Sequence, residues 1–140
     1  MQSLEVLSLS NLASADGSSP LLLPAGLKVL PNLKTLALIN GGYSGHLPPE
    51  WSRIHSLQTL DLSSNDDITG PIPPGFCSLA NLQRLILPKT NPFGSTAPLN
   101  GTIPQCLGNK LTKLVDLDLS YNKFTGTNNT SSFFIISMLG

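Results

Sequence analysis

The feature that most constrains this chain is a leucine pattern that recurs along most of its length. The unit L-x-x-L-x-L begins near residues 4, 33, 57, 82 and 114, so that successive starts lie 29, 24, 25 and 32 residues apart. Self-similarity at such a period is the signature of a repeat architecture. A single unit cannot bury its own leucines, so neighbouring units must stack and share one core. We therefore predict a single solenoid domain over residues 1–140.

Each unit divides into a strand and a return segment. The leucine half alternates apolar and variable residues, which is the period of a strand with one buried face. The second half carries a glycine and then a proline, as in "YSGHLP" and "ITGPIP". Proline suits the first turn of a short helical segment, because its φ is fixed and it lacks an N–H. The glycines permit either a close approach of neighbouring coils or a positive φ; they are Gly45, Gly70, Gly101 and Gly126.

Asn65 and Asn122 follow their strands at the point where the chain bends inward. An amide offers donors and an acceptor, so a buried asparagine there is expected to satisfy backbone groups at the bend. In the other three units this place is taken by Leu12, Gly41 and Thr90, with Asn11, Asn40 and Asn91 one residue away. We expect the best order around the third and fifth units.

The fourth and fifth units depart from the pattern. An insertion, "NPFGSTAP", occupies residues 91–98, yet the strand before it and the "LNGTIP" after it stay in register. We interpret the insertion as a surface loop beside the predicted strand face. The last unit loses its isoleucine–proline pair, and an irregular tail covers residues 127–140. Without polar caps both ends should expose leucines, unless Phe133, Phe134, Ile135 and Ile136 cover the last coil.

The sequences "LQTLDLSSNDDITGPIP" and "LVDLDLSYNKFTGT" resemble the plant-type leucine-rich repeat, L-x-x-L-x-L-x-x-N-x-L-x-G-x-I-P, and the resemblance covers about residues 4–126. It implies an α/β solenoid of about five repeats, a right-handed superhelix with a concave parallel β-sheet and short 3₁₀ segments on its convex side. It also implies use as the ectodomain of receptor-like proteins or receptor-like kinases. The implied location is extracellular or at the cell surface when part of a longer chain, with a co-receptor as partner of a full-length form.

Charge and the chain ends limit the classes of partner. Eight basic and eight acidic residues give a net charge of zero, so we expect no attraction to nucleic acid. The start "MQSLEVLSLS" has no basic, apolar or cleavage region of a signal peptide. The tail "FFIISMLG" is far shorter than the roughly 20 apolar residues of a membrane-spanning helix. We expect no membrane insertion by this segment.

The variable strand positions form the predicted recognition surface. Side chains on rigid parallel strands are pre-organised, so docking of a ligand costs little entropy. A solvated sheet face whose charges neutralise one another is the alternative interpretation. The candidate ligand-binding residues, for a peptide, protein or glycan, are Thr59, Asp61, Arg84, Ile86, Lys89, Asp116, Asp118 and Tyr121.

Two kinds of covalent modification are candidates. Cys77 and Cys106 lie on the return segments of adjacent units, about two positions out of register. They either form a disulfide, which needs Cα atoms within about 6.8 Å and which the offset makes marginal, or remain free buried thiols. Asparagine glycosylation sequons occur at Asn100, Asn128 and Asn129. Asn100 follows an inward leucine and is expected to point outward.

No pattern in the chain indicates catalysis. We find no nucleophile with a base, no phosphate-binding glycine loop and no cofactor site, and Asp116 with Asp118 is typical of a solvated acidic pair. Two cysteines and the distant His46 and His55 do not make a metal-ligand set. The sequence favours a fragment or short form of a receptor-like ectodomain. The alternatives are an enzyme-inhibitor module of the polygalacturonase-inhibitor kind and a truncated product without independent function.

Overall fold

The structure is a computed structural model that describes residues 3–12, 21–89 and 98–125, and the backbone of residues 135–137. The predictions for Thr90, Asn91, Gly126, Asn128, Asn129, Phe133 and Phe134 lie outside these residues, as does the insertion apart from Pro98. The strands are β1 (Val6–Ser10), β2 (Leu21–Leu22), β3 (Thr35–Ile39), β4 (Tyr43–His46), β5 (Thr59–Asp61), β6 (Asp67–Thr69), β7 (Arg84–Ile86), β8 (Asn100–Thr102), β9 (Asp116–Asp118), β10 (Lys123–Thr125) and β11 (Ile135–Ser137). The helical segments are η1 (Ala25–Val29), η2 (Pro49–Arg53) and η3 (Pro74–Ser78), which are 3₁₀, and α1 (Cys106–Asn109).

The main sheet has the strand order β1-β3-β5-β7-β9-β11. Its first five strands pair in parallel and in the register of the leucine repeat. One row across the sheet is therefore made entirely of inward leucines: Leu7, Leu36, Leu60, Leu85 and Leu117. Alternation along each strand places the neighbouring side chains on the opposite face. The parallel sheet expected from the repeat is confirmed.

The last strand of the sheet runs the other way. β11 pairs antiparallel with β9, and Ile136 stands opposite Leu117. A further coil would add a parallel strand to this edge of the sheet. The antiparallel β11 occupies the edge instead. The backbone of the tail thus covers the sheet edge at this end of the solenoid.

A second layer of short strands follows the bend of each coil. β2, β4 and β6 form one sheet and β8 pairs with β10, with a bridge between Gly70 and Leu99 joining the two sets. The leucine pattern does not predict these strands. The three motif glycines that the structure describes adopt positive φ, at 87° for Gly45, 85° for Gly70 and 77° for Gly101. The expectation for these glycines is confirmed, since L-residues rarely adopt that conformation.

The helical side closes the core. Pro48 and Pro73 are the N-caps of η2 and η3, and a second proline occupies the first turn of each. Trp51 and Phe76 project from these segments and are fully buried. The Trp51 indole Nε1 donates to the Pro24 carbonyl at 3.0 Å, which joins η2 to the preceding coil. The core lies between the main sheet and the helical segments, as the proline pattern predicts.

The first coil is the least covered. Its exposed large apolar side chains are Val6, Leu9, Leu12, Leu21, Leu22 and Val29. In the third coil Leu62, which corresponds to Leu9 in the repeat, is only 2% exposed. The expected exposure at an uncapped end is therefore present at the N-terminal end.

Candidate functional site

The candidate site is the solvent-facing side of the main sheet, called here the concave face. The strand register arranges its side chains in two rows that cross the parallel strands. The outer row consists of Val6, Thr35, Thr59, Arg84 and Asp116, and the central row of Ser8, Ala37, Asp61, Ile86 and Asp118. Six of the eight predicted ligand-binding residues lie in these rows, namely Thr59, Asp61, Arg84, Ile86, Asp116 and Asp118.

Arg84 and Asp116 are neighbours in the outer row and form an ion pair. Arg84 Nε lies 3.0 Å from Asp116 Oδ2, and the two side chains are 52% and 37% exposed. An ion pair this exposed contributes at most about 1 kcal/mol to stability. The pair offsets the charge of Arg84 in the outer row, while both groups stay accessible.

Asp61 and Asp118 hold the bend that follows their strands. Asp61 Oδ1 accepts the Ser63 backbone N–H at 3.0 Å and also the Ser63 hydroxyl. Asp118 Oδ1 accepts the Ser120 N–H at 2.9 Å and its hydroxyl at 2.6 Å. Such a local carboxylate–backbone bond offers the chain an alternative to continuing the strand. The repeated "DLS" is a sequence signal for this arrangement, and the leucine pattern alone does not reveal it.

The remaining candidate ligand-binding residues differ in how much of their surface is exposed to a ligand. Ile86 is 8% exposed and Lys89 is 5% exposed, so both present little surface to a ligand. Tyr121 is 42% exposed and has a positive φ of 60°. Thr59 is half-buried between Thr35 and Arg84 in the outer row.

Asn65 links two coils through its buried amide. Its Oδ1 accepts the backbone N–H groups of Gly41 at 3.0 Å and Tyr43 at 3.1 Å. Its Nδ2 donates to the carbonyl groups of Leu38 at 2.6 Å and Leu62 at 2.9 Å. Asn65 therefore satisfies backbone groups of both its own coil and the preceding one, as its position in the repeat predicts.

Asn122 repeats this arrangement at the fifth coil. Its Oδ1 accepts the Leu99 N–H at 3.1 Å, and its Nδ2 donates to Leu87 at 2.7 Å and Leu119 at 3.2 Å. The bonds again reach the preceding coil, which carries the insertion. Asn122 thus stabilises the backbone on both sides of residues 90–97.

Asn11 and Asn40 have a different role. Both adopt positive φ, 56° and 49°, as do Ser64 and Tyr121 at the same place in later coils. Asparagine tolerates this left-handed conformation better than most residues. The two side chains are exposed, and Asn40 Nδ2 donates to Asn11 Oδ1 at 2.7 Å. They are residues of the turn, not displaced members of the inward asparagine series.

Cys77 in η3 and Cys106 in α1 form a disulfide with Cα atoms 5.4 Å apart. The two-position offset that the sequence analysis treated as an obstacle is shared by the whole return side. β4 pairs Ser44 with Asp67, whereas the repeat motif aligns Ser44 with Thr69. The return segments of successive coils are therefore staggered by two residues.

The glycine contacts show the same stagger one coil earlier. A Cβ on Gly75 would lie 3.1 Å from Ser52 Cβ, and in the repeat Ser52 corresponds to Cys77 and Gly75 to Cys106. Positions offset by two in the repeat thus face each other across neighbouring coils. The offset is what brings the two cysteines together.

The other predicted features of the surface are as follows. Asn100 is exposed on β8, and its backbone N–H donates to the Gly70 carbonyl at 2.9 Å.

A cavity of about 10 Å³, lined in part by Asn65, Lys89 and Asn122, has room for about one water molecule. Within the described ranges, no three His, Cys, Asp or Glu side chains are grouped to hold a metal ion. The part of the chain that the structure describes also contains no helix able to cross a membrane.

Comparison with known proteins gives consistent results. The family model described as Leucine Rich Repeat matches residues 56–79 and 113–134. Receptor-like protein 32 of Arabidopsis thaliana is 34% identical over 110 residues, which is 74% of this chain and 12% of that protein. The chain therefore spans only a small part of the length of this relative.

Solved structures show the same likeness in three dimensions. The ectodomain of the Arabidopsis thaliana receptor kinase GASSHO1/SCHENGEN3, in complex with CASPARIAN STRIP INTEGRITY FACTOR 2, matches with a TM-score of 0.69 and 25% identity over 88% of this chain and 16% of that one. A chain of the BIR3–SERK2 complex of Arabidopsis thaliana matches with a TM-score of 0.64 and 33% identity over 75% of this chain and 52% of that one. With its repeat, parallel sheet and 3₁₀ segments, the chain is a plant-type leucine-rich-repeat protein that resembles the ectodomains of receptor-like proteins and receptor kinases.

Proposed function

We propose that this chain is a non-catalytic recognition module that binds a peptide, protein or glycan on its concave face. In this proposal it acts as a segment of a cell-surface receptor-like protein in signalling or defence, and a co-receptor joins the full-length form. The main support is the five-strand parallel register, which lines up accessible polar and charged side chains in rows on a rigid sheet. A surface of this kind costs little entropy when a ligand docks.

Two further observations support an extracellular setting. Disulfides form and persist in oxidising compartments, and the Cys77–Cys106 bond has the Cα separation that a disulfide requires. The Asn100 sequon lies on an exposed strand, where a glycan would meet solvent. Both modifications are part of the proposal.

The solved neighbours support the choice of partner class. One of the solved structures described above holds a receptor kinase ectodomain in complex with CASPARIAN STRIP INTEGRITY FACTOR 2, and another is a complex between BIR3 and SERK2. From these structures we take only the classes of partner, namely a ligand and a protein co-receptor. We do not take the identity of either partner.

The test is binding of the purified chain to arrayed synthetic peptides of acidic, neutral and basic composition and to oligogalacturonides. For any probe bound, Arg84→Glu should change the dissociation constant by about tenfold in either direction, because Arg84 is an exposed charged residue of the concave face. Arg53→Glu is the matched control, since Arg53 is exposed on η2 on the opposite side.

The outcomes separate the alternatives. A response to Arg84→Glu without one to Arg53→Glu supports recognition by the concave face. The reverse pattern contradicts it. Inhibition of a fungal polygalacturonase by the chain, assayed alongside, would favour the enzyme-inhibitor alternative over the receptor segment.

A further inference from the structure

Although the net charge is zero, the concave face and the helical side of the solenoid carry opposite charge. On the concave face Asp61, Asp116 and Asp118 outnumber Arg84, which is already paired with Asp116. Lys89, just beyond β7, is 5% exposed and adds little accessible charge. The helical side carries the exposed cations Lys28, Arg53 and Lys110, with the acid Glu50 among them. The accessible concave charge is therefore negative, which favours a cationic partner.

The two carboxylates not engaged by Arg84 have a defined separation. Asp61 and Asp118 lie in the central row on either side of Ile86, and their strands β5 and β9 are the two neighbours of β7. Neighbouring strands lie about 4.8 Å apart, which puts these two positions about 9.6 Å apart across the sheet. A ligand must match this distance to contact both.

Both carboxylates are also held in place. Each uses Oδ1 to accept two bonds from the serine two residues on, which leaves Oδ2 as the acceptor for a ligand cation. A side chain fixed by two bonds loses little further freedom when a ligand arrives. The arrangement is therefore suited to charge-assisted hydrogen bonds with a lysine or arginine.

The spacing distinguishes between peptide conformations. In a polyproline II helix, residues three apart lie on the same side and are separated by about 9.3 Å. In a β-strand, residues two apart share a side and are separated by only about 6.8 Å. The backbone of a polyproline II peptide makes no hydrogen bonds of its own, and half-buried Thr59, in the adjacent row on the same strand as Asp61, carries a hydroxyl that can donate to its carbonyl groups.

Taking the concave face as the recognition surface of the proposed function, we propose that its ligand is a cationic, proline-rich peptide in the polyproline II conformation. The peptide crosses the strands along the central row, with two basic residues three positions apart on Asp61 and Asp118. The two intervening prolines cross β7 between these carboxylates. Charge complementarity selects this occupant over an acidic peptide.

The test uses three fluorescently labelled probes, Ac-PRPPRP-NH2, the spacing control Ac-PRPRPP-NH2 and the acidic control Ac-PEPPEP-NH2. Fluorescence anisotropy should show that the first binds at least about fivefold more tightly than the second, and the acidic control not measurably. Affinity for the first probe should fall as salt is raised, because these contacts are solvent-exposed. Arg84→Glu should tighten its binding.

Asp61→Asn and Asp118→Asn should each weaken binding of Ac-PRPPRP-NH2 by about tenfold. Asparagine keeps the Oδ1 acceptor for the serine, so both variants retain the bend, and circular dichroism verifies that they fold. Asp67→Asn is the matched control, because it removes an exposed carboxylate from β6, away from the concave face.

The inference is wrong if the two arginine probes bind equally, or if Asp67→Asn weakens binding as much as Asp61→Asn. Binding of Ac-PEPPEP-NH2 that Arg84→Glu abolishes would also overturn it, while supporting concave-face recognition. Absence of binding by all three probes overturns the cationic-peptide inference alone. The other peptides and the oligogalacturonides of the array then decide the broader proposal.

Discussion

Two pairs of asparagines, one position apart in the repeat, divide the molecule into unlike regions. In the third and fifth coils, Asn65 and Asn122 are buried and their amides bond the backbone of two coils. In the first and second coils, Asn11 and Asn40 are exposed, adopt positive φ and bond each other. The same side chain therefore joins coils in one region and only shapes a turn in the other.

The difference teaches that a shift of one position changes what an asparagine contributes. A buried amide with several backbone partners cannot be removed without leaving those groups unsatisfied, whereas an exposed amide can be replaced by water. The first coil also exposes most of its large apolar side chains, and the disulfide joins coils only in the later region. We expect the later coils to be the more stable part of the solenoid.

Asn65→Ala is the strongest test of this difference between the buried and the exposed asparagines. It leaves two N–H and two C=O groups around Gly41, Tyr43, Leu38 and Leu62 without the amide, so we expect a loss of about 3–5 kcal/mol in unfolding free energy. Urea denaturation followed by far-UV circular dichroism measures it.

Asn40 supplies the matched control. Asn40→Ala should cost about 1 kcal/mol, because it removes an exposed bond and places alanine at positive φ. Asn40→Gly should be nearly neutral, since glycine adopts that conformation freely. Equal losses for Asn65→Ala and Asn40→Ala would show that the two asparagines do not differ as described.

Removing the disulfide tests the stability of the later coils. The bond joins residues 29 apart, so the double variant Cys77→Ser/Cys106→Ser should lose about 3–4 kcal/mol. Thermal denaturation with and without dithiothreitol measures the loss. The reductant should lower the melting temperature of the natural chain and leave the variant unchanged.

The equivalent pair one coil earlier tests the two-residue stagger itself. Ser52→Cys with Gly75→Cys, in the chain lacking Cys77 and Cys106, should form a disulfide, because the two Cβ positions are adjacent. Thiol titration after oxidation counts the remaining free thiols. Two free thiols in the folded protein would contradict the stagger.

A substitution at Gly70 should have a smaller effect than loss of Asn65 or of the disulfide. Gly70→Ala should cost about 2 kcal/mol, because Gly70 has a φ of 85° and an added Cβ would lie 2.8 Å from His46 Cδ2. Gly26 has open space around its Cα, so Gly26→Ala should be neutral or slightly stabilising. Comparing their melting temperatures separates the glycine required between coils from an incidental one.

Several elements followed from local pattern alone. The parallel strands, the helical turns at Pro48 and Pro73 and the inward Asn65 were predictable, because each depends on a few neighbouring residues repeated at a fixed period. The second layer of strands was missed, because each is at most four residues long and its pairing partner lies in another coil. The exposure of the candidate site was only partly predicted, since Ile86 and Lys89 have concave-face positions yet are buried.

By itself, the sequence determined the repeat, the direction of the strand faces and the positions that need glycine, proline or asparagine. Only the tertiary structure decided the two-residue stagger that joins Cys77 to Cys106, the reversal of β11 and the separation of charge between the faces. The first set follows from backbone geometry within one coil. The second depends on how one coil sits on the next, and residues far apart in the chain become neighbours only after stacking.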